Sequence, residues 1–259
     1  MTTFVRFRWV FVLACLGATL SLSRGAYAGT DTLHFLDSNG SNGVDVTYVL
    51  NNQTHTESTA AGQYNFQING SSQTYTGFCT DLFDSISNGN TWSALRTTVS
   101  NPTSGLGSVY YANGTHGNTI SMQNIHAIDY IVAHYANTPA SRTKTDAQLA
   151  IWDLSLGGSV NYNPSTHTYS WSSLFSAVDS GQHSYGDLAG VYSIEQAAFA
   201  NDGRSWNSIF ENAGAEANGR KQDIAFAATP EASSLIGFAG LVAGSMWIPL
   251  CARRRRRGR

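Results

Sequence analysis

Two residues of this 259-residue chain carry side chains that could react with each other, a cysteine and a glutamine. Cys79 follows Phe78 in the segment GFCTDL, and Gln148 stands three and four residues before Ile151 and Trp152. If that second segment is helical, Gln148 shares a face with large apolar side chains, and its carboxamide should point inward. A thiol held against a carboxamide can attack its carbonyl carbon and displace ammonia, which leaves an internal thioester.

Cysteine usage alone leaves other roles open for Cys79. Cys15 and Cys251 lie in the terminal segments discussed below, so the central part of the chain has this one cysteine. Exported proteins normally pair their thiols, and a single cysteine therefore indicates an intermolecular bridge, a reactive site or inert burial. A hydrolytic thiol would need a base, for which His126 and His134 are candidates, but no cysteine-protease signature surrounds Cys79.

A hairpin and a closing strand are predicted near Cys79. Apolar residues alternate before Asn69-Gly70, a pair typical of tight turns, and a second aromatic run then leads to Cys79. The alternating residues are Tyr64, Phe66 and Ile68. Ile224 and Phe226 alternate in the same way and predict a further strand.

Helices are predicted in the middle of the chain. The segment SMQNIHAIDYIVAHYAN has apolar residues at helical spacing, and TKTDAQLAIWDLSLGG predicts a second helix that begins with a capping box of Thr143 and Asp146. Further short helices are expected in WSSLFSAVDS and SIEQAAFAN, and a turn from Asp37 to Asp45. The mixture predicts an α+β fold, a β-rich sandwich or barrel with a helical insertion.

The N-terminal segment has the pattern of a signal peptide. Arg6 and Arg8 precede an apolar run that is too short to span a bilayer, and the small residues Ala26 and Ala28 form a cleavage site. We therefore expect residues 1–28 to be a signal peptide and residues 29–228 to be one exported domain.

The C-terminal segment, residues 229–259, predicts a membrane anchor. Ser234 to Leu250 carries no charge and predicts one transmembrane helix. Five arginines follow it and should hold the end of the chain in the cytoplasm: Arg253, Arg254, Arg255, Arg256 and Arg257. The rest of the chain would then face outward.

Charge is distributed very unevenly along the chain. The whole sequence has a formal net charge of −2, but nine of its 15 basic residues lie in the two terminal segments. The predicted exported domain retains 6 basic and 16 acidic residues, a formal net charge of −10. Such a surface argues against binding nucleic acid or anionic lipid.

The segments around Cys79 and Gln148 resemble the thioester domains of bacterial surface adhesins. In that family a cysteine after an aromatic residue bonds to the glutamine of a Gln-x-Ala-x-Trp motif, which reads here Gln148-Leu149-Ala150-Ile151-Trp152. The resemblance implies a Cys79–Gln148 thioester that couples to a partner's amine, with Phe78, Ala150, Ile151 and Trp152 around it. Shielding by the aromatic side chains would slow hydrolysis.

The C-terminal segment resembles the PEP-CTERM sorting signal of Gram-negative bacteria. The signal combines a Pro-Glu-Pro motif, a short transmembrane helix and an arginine-rich end, and the motif stands here as Pro230-Glu231-Ala232. The resemblance implies processing by an exosortase, so the chain would be a membrane-anchored precursor and then a surface or extracellular protein.

The sequence thus predicts an adhesin-like surface or matrix protein, a single-use acylating binder without enzymatic turnover. A non-reactive structural matrix protein with Cys79 buried is the main alternative, and a cysteine-dependent hydrolase is a minor one. No cofactor motif is apparent. His126 and His134 are about 12 Å apart on one helix, too far to share a metal ion without another element.

Overall fold

The structure, a computed structural model, describes residues 29–50, 52–80, 82, 86–98, 121–182, 184–201, 206, 208–212 and 223–227. All of them belong to one compact unit. The predicted signal peptide, the sorting motif, the transmembrane segment and its arginines lie outside these residues. In the described part of the chain, no helix is long and apolar enough to cross a membrane.

The described residues form nine strands and three helices. The strands are β1 (Gly29–Leu50), β2 (Gln53–Ile68), β3 (Tyr75–Cys79), β4 (Thr91–Thr98), β5 (Asn161–Asn163), β6 (Thr168–Ser170), β7 (Phe175–Asp179), β8 (Ile209–Asn212) and β9 (Ile224–Phe226). The helices are α1 (Met122–Tyr135), α2 (Ser141–Ser155) and α3 (Leu188–Phe199). The α+β class predicted from the sequence is therefore confirmed.

Seven strands form one antiparallel sheet in the order β2-β3-β9-β8-β4-β1-β7. The long strand β1 pairs with β4 near its start, with β7 near its end and with β2 along most of its length. Because β1 and β2 pair directly, the first six strands of this order form a closed hydrogen-bonded circuit. β5 and β6 form a separate two-stranded hairpin.

The predicted hairpin before Cys79 is confirmed. Tyr64 pairs with Gly77 across β2 and β3, and the turn after β2 contains Asn69 and Gly70 at φ 52° and 70°. These left-handed values favour asparagine and glycine, which explains the sequence of the turn. The predicted strand at Ile224 is also present, as β9, and it pairs with β3.

Two local predictions are wrong. The expected helix in WSSLFSAVDS is mostly strand β7, in which Phe175 and Ala177 alternate into the core while the strand pairs with β1. The expected turn from Asp37 to Asp45 lies inside β1, where it appears only as a shift in the pairing register with β2. In both places, pairing with a neighbouring strand outweighs local propensity.

Helix α1 forms where it was predicted, whereas α2 begins at Ser141 and α3 at Leu188, both earlier than expected. Ser121 caps α1 by accepting the N–H of Asn124. The capping box predicted for α2 is absent, because the helix begins at Ser141 and Asp146 instead accepts the phenol of Tyr185 at 2.6 Å.

Helix α2 is enclosed by the rest of the fold. It contacts β1, β2, β3 and β7 as well as both other helices, and every residue from 144 to 155 is buried. A helix buried all round is usually apolar, but this one carries polar residues that each have a partner. The partners are Asn39 for Lys144, Ala61 for Thr145, Tyr185 for Asp146, Cys79 for Gln148 and Ser172 for Asp153.

Two carboxyl groups meet where α2 packs on α3. Asp153 accepts the Ser172 hydroxyl at 2.6 Å, and Glu195 accepts the backbone N–H of Val160 at 2.7 Å. Both side chains are fully buried, and each keeps one oxygen without a hydrogen-bond partner among the described residues. Burial raises the pKa of Asp153 to about 7, and burial together with the Asp153 charge raises the pKa of Glu195 to about 9.

This carboxyl pair should make stability depend on pH. A folded-state pKa above the unfolded value means that the folded protein binds the proton more tightly. The pair's contribution to stability is therefore fully present below about pH 4 and is lost as pH rises through the folded pKa values. Each group should cost about 1.4 kcal/mol of unfolding free energy per pH unit in that range. We predict that Glu195→Gln, which keeps an acceptor for Val160, flattens this slope and is more stable than the wild type at pH 8.

Urea unfolding at intervals between pH 5 and pH 9 measures the effect. Asp37→Asn is the matched control, because Asp37 is exposed on β1 and its loss should leave the slope unchanged. An unaltered slope in Glu195→Gln would contradict the proton binding assigned to this pair.

Candidate functional site

Cys79 lies at the end of β3, where strand pairing continues on one edge of β3 but has ended on the other. Pairing with β2 ends at Gly77, while pairing with β9 continues to Cys79 opposite Ile224. The N–H of the next residue, Thr80, donates to Asp223 on the β9 side at 2.9 Å. Successive N–H groups of a strand point to opposite edges, so the N–H and C=O of Cys79 face the edge that β2 has left.

Gln148 of α2 occupies that edge. The Cys79 N–H donates to Gln148 Oε1 at 3.0 Å, and Gln148 Nε2 donates to the Cys79 carbonyl oxygen at 2.6 Å. The carboxamide therefore takes the place of a strand residue and satisfies both backbone groups of Cys79. Both residues are completely buried, with 0% relative exposure. The structure thus brings together the two residues singled out from the sequence.

The preceding turn of α2 fixes the helix against the same strands. Thr145 donates its hydroxyl to the Ala61 carbonyl of β2 at 3.2 Å and accepts the side-chain N–H of Asn42 in β1 at 2.7 Å. Residues three apart on a helix lie on one face. The Thr145 contacts therefore fix the position of α2 along the sheet, and with it the point at which Gln148 contacts β3. Sequence reasoning missed Thr145, although a polar residue on the inward face of a helix was the available signal.

The residues expected around the pair are all in the core. Phe78, Ala150, Ile151 and Trp152 each have 0% relative exposure. Side chains alternate along a strand, so Phe78 and Cys79 point to opposite faces of β3. Ile224 lies directly across from Cys79 and therefore shares its face, which gives the thiol an apolar neighbour that the sequence did not reveal.

Tyr64 is a second neighbour that sequence reasoning did not assign to the site. It is nearly buried on β2 opposite Gly77 and donates its phenol to the Ala60 carbonyl at 2.6 Å. Burial raises the pKa of Tyr64, and the charge that a Cys79 thiolate would carry raises it further. The ring therefore stays neutral, close enough to Cys79 to sense its charge.

Two donors near the pair are buried without a hydrogen-bond partner among the described residues. They are the hydroxyl of Thr80, which follows Cys79, and the indole N–H of Trp152, one turn after Gln148. Buried polar groups are normally satisfied, so such exceptions often mark sites where chemistry or a small molecule supplies the partner.

The hydrogen bonds around Gln148 favour attack on its carboxamide. The backbone N–H of Cys79 donates to the carbonyl oxygen that would gain negative charge, as the donors of an oxyanion hole do. The bond from Nε2 to the Cys79 carbonyl fixes the nitrogen that would leave. The sulfur that would attack belongs to the residue that makes both contacts, so the structure holds the two residues of the predicted thioester side by side.

A comparison with protein-family models, curated proteins and solved structures found no match.

His134 of α1 lies among aromatic rings. His134 stacks on Tyr130 with ring centroids 3.9 Å apart and meets Trp206 edge-on at 4.5 Å. Within the ranges that the structure describes, no group of three or more His, Cys, Asp or Glu side chains could hold a metal ion.

The contact between Gln148 and Cys79 should contribute measurably to stability. In a Cys79→Ala background, where no thioester can form, Gln148→Leu leaves a buried N–H and a buried C=O unsatisfied. We predict a loss of about 2–4 kcal/mol in unfolding free energy, measured by urea denaturation. Gln196→Leu on the exposed side of α3 is the matched control and should change stability by less than about 0.5 kcal/mol. Equal effects of the two leucine variants would refute the contact.

Proposed function

We propose that this protein is an exported, adhesin-like surface or matrix protein in which Cys79 and Gln148 form an internal thioester that attaches covalently to an amine-bearing partner. The observation that carries the proposal is the reciprocal pair of hydrogen bonds between the Gln148 carboxamide and the Cys79 backbone, at 3.0 and 2.6 Å in a completely buried site.

The thioester forms without an external reagent. The Cys79 sulfur bonds to the carbonyl carbon of Gln148, the bond from that carbon to Nε2 breaks, and the thiol proton leaves with the nitrogen as ammonia. An amine of the partner later attacks the same carbon, the C–S bond breaks, and the proton given up by the amine goes to the Cys79 thiolate. The product is an amide through Gln148, and because the acyl group is consumed, the protein does not turn over.

Burial of the site supports a long-lived thioester. The buried side chains of Trp152 and Ile224 help to exclude water, which would otherwise hydrolyse the thioester. The same burial means that an amine reaches the carbonyl carbon only after neighbouring side chains move. A slow, selective acyl donor suits a protein that must reach its partner intact.

The terminal segments supply the proposed location. A signal peptide ending at Ala28 would direct export through the inner membrane, and the segment with Pro230-Glu231-Ala232 would anchor the precursor until an exosortase-type enzyme processes it. The acidic exported domain suits a partner that carries amines and disfavours nucleic acid.

A second candidate rests on the same hydrogen bonds. They satisfy the backbone N–H and C=O at the end of β3, as a structural cap does. In this second candidate the protein is a non-reactive matrix protein, and Gln148 only fixes α2 to the sheet. The two candidates differ in one covalent bond, which mass spectrometry detects.

Intact mass decides between these functions. We predict that the wild-type protein weighs about 17 Da less than its calculated mass, because one ammonia has left, and that Cys79→Ala and Gln148→Ala have their calculated masses. Incubation with methylamine should then add about 31 Da to the wild type alone and yield a thiol that reacts with iodoacetamide. A wild-type mass equal to the calculated value, together with a thiol that is alkylated directly after denaturation, would contradict the thioester. The non-reactive structural role of Gln148 would then be the function supported.

A further inference from the structure

A cluster of tyrosines stands at the surface, away from the pair described above. Tyr162 on β5 and Tyr169 on β6 have ring centroids 4.9 Å apart, and Tyr192 on α3 lies 5.8 and 5.3 Å from them. Tyr162 and Tyr169 are 36% and 37% exposed, two of the four large apolar side chains that are exposed in the described part of the chain. Adjacent exposed rings of this kind commonly mark a binding surface.

A cavity of about 630 Å³ begins at the same cluster and is the right size for a small ligand. Tyr169 belongs to both features, and Trp171 and Tyr185 supply two further aromatic residues to the lining. Hydroxyl-bearing residues complete it: Thr168, Ser170, Ser176 and Ser184. The lining thus combines aromatic rings with neutral hydrogen-bonding groups.

The aromatic walls are held in place by their own contacts. The indole N–H of Trp171 donates to the Ala177 carbonyl at 3.1 Å, and its ring meets Phe175 edge-on. The phenol of Tyr185 donates to Asp146 of α2, and the Arg142 guanidinium lies 4.1 Å from its ring centroid. A rigid wall loses little conformational entropy when a ligand binds.

The charges around the cavity select against anionic ligands. No basic residue is among the described residues that line it, and the nearby Arg142 already forms two hydrogen bonds to Asp179, at 2.9 and 3.2 Å. The one acidic lining residue, Asp187, accepts the Gly190 N–H at the start of α3. The described lining therefore offers an anion no cationic partner, and its carboxylate is already engaged as a helix cap.

A neutral sugar matches these properties. Its C–H faces pack on aromatic rings, and its hydroxyls exchange hydrogen bonds with serine and threonine side chains. We propose that the cavity bounded by Tyr169, Trp171 and Tyr185 binds a sugar unit of a neutral polysaccharide, with Tyr162 and Tyr192 extending the stacking surface to a neighbouring unit. This site gives the protein non-covalent contact with a glycan, independent of the thioester.

Affinity electrophoresis in native gels tests the proposal. The probes are three soluble neutral polysaccharides, dextran, hydroxyethyl cellulose and galactomannan, and polygalacturonate serves as the anionic comparison. The protein is the full chain carrying Cys79→Ala, so that no thioester can contribute to retention. We expect retardation by at least one neutral polymer that depends on Tyr169. Polygalacturonate can bind the arginines of the C-terminal segment, so its effect on mobility should not depend on Tyr169.

Substitution of Tyr169 locates the binding. Tyr169→Ala should weaken retardation about tenfold because one stacking ring is lost, whereas Tyr169→Phe should retain it. Met122→Ala removes a similarly exposed apolar side chain at the start of α1 and should bind as the parent does. The proposal is overturned if no neutral polymer retards the chain, if retardation by polygalacturonate depends equally on Tyr169, or if Tyr169→Ala binds as well as Met122→Ala.

Discussion

The enclosure of α2 is the constraint on which the rest of the structure depends. A polar residue in a helix with no solvent-exposed side must find its partner in another element, because an unsatisfied buried group is costly. Thr145 bonds to Ala61 of β2, Asp146 to Tyr185, and Gln148 to Cys79 of β3. Each contact fixes one segment against the helix, so the polar residues of α2 hold β2, β3 and the segment that precedes α3 in place around it.

The local pattern of the sequence predicted the elements around the candidate site well. Alternating residues and Asn69-Gly70 gave the hairpin, and the spacing of Gln148 and Trp152 correctly placed both on an inward-facing helix. Prediction failed for β7, whose partner is distant in sequence, but not for β9, whose partner is as distant and whose apolar residues alternate clearly. β7 was taken for a helix because its pairing with β1 spans more than 120 residues and leaves no local signal.

The site itself was predictable only as a pair of residues. That Cys79 and Gln148 meet could be argued from their types and spacing, but the way in which they meet could not. The contact uses the backbone of Cys79, because β2 stops pairing two residues earlier and exposes that edge of β3. The roles of Tyr64 and Ile224 depend equally on strand register, which a single sequence does not specify.

The pairing of β3 with β9 makes completion of the site depend on the end of the described chain. Cys79 is neighboured by Ile224, so the strand that covers the thiol is among the last parts of the described chain to be synthesised. Contacts between residues so far apart in sequence form slowly, after the intervening chain has collapsed. A chain crossing a membrane unfolded would therefore carry an ordinary cysteine and an ordinary glutamine. The two would be brought together only at the destination, where the finished fold encloses them.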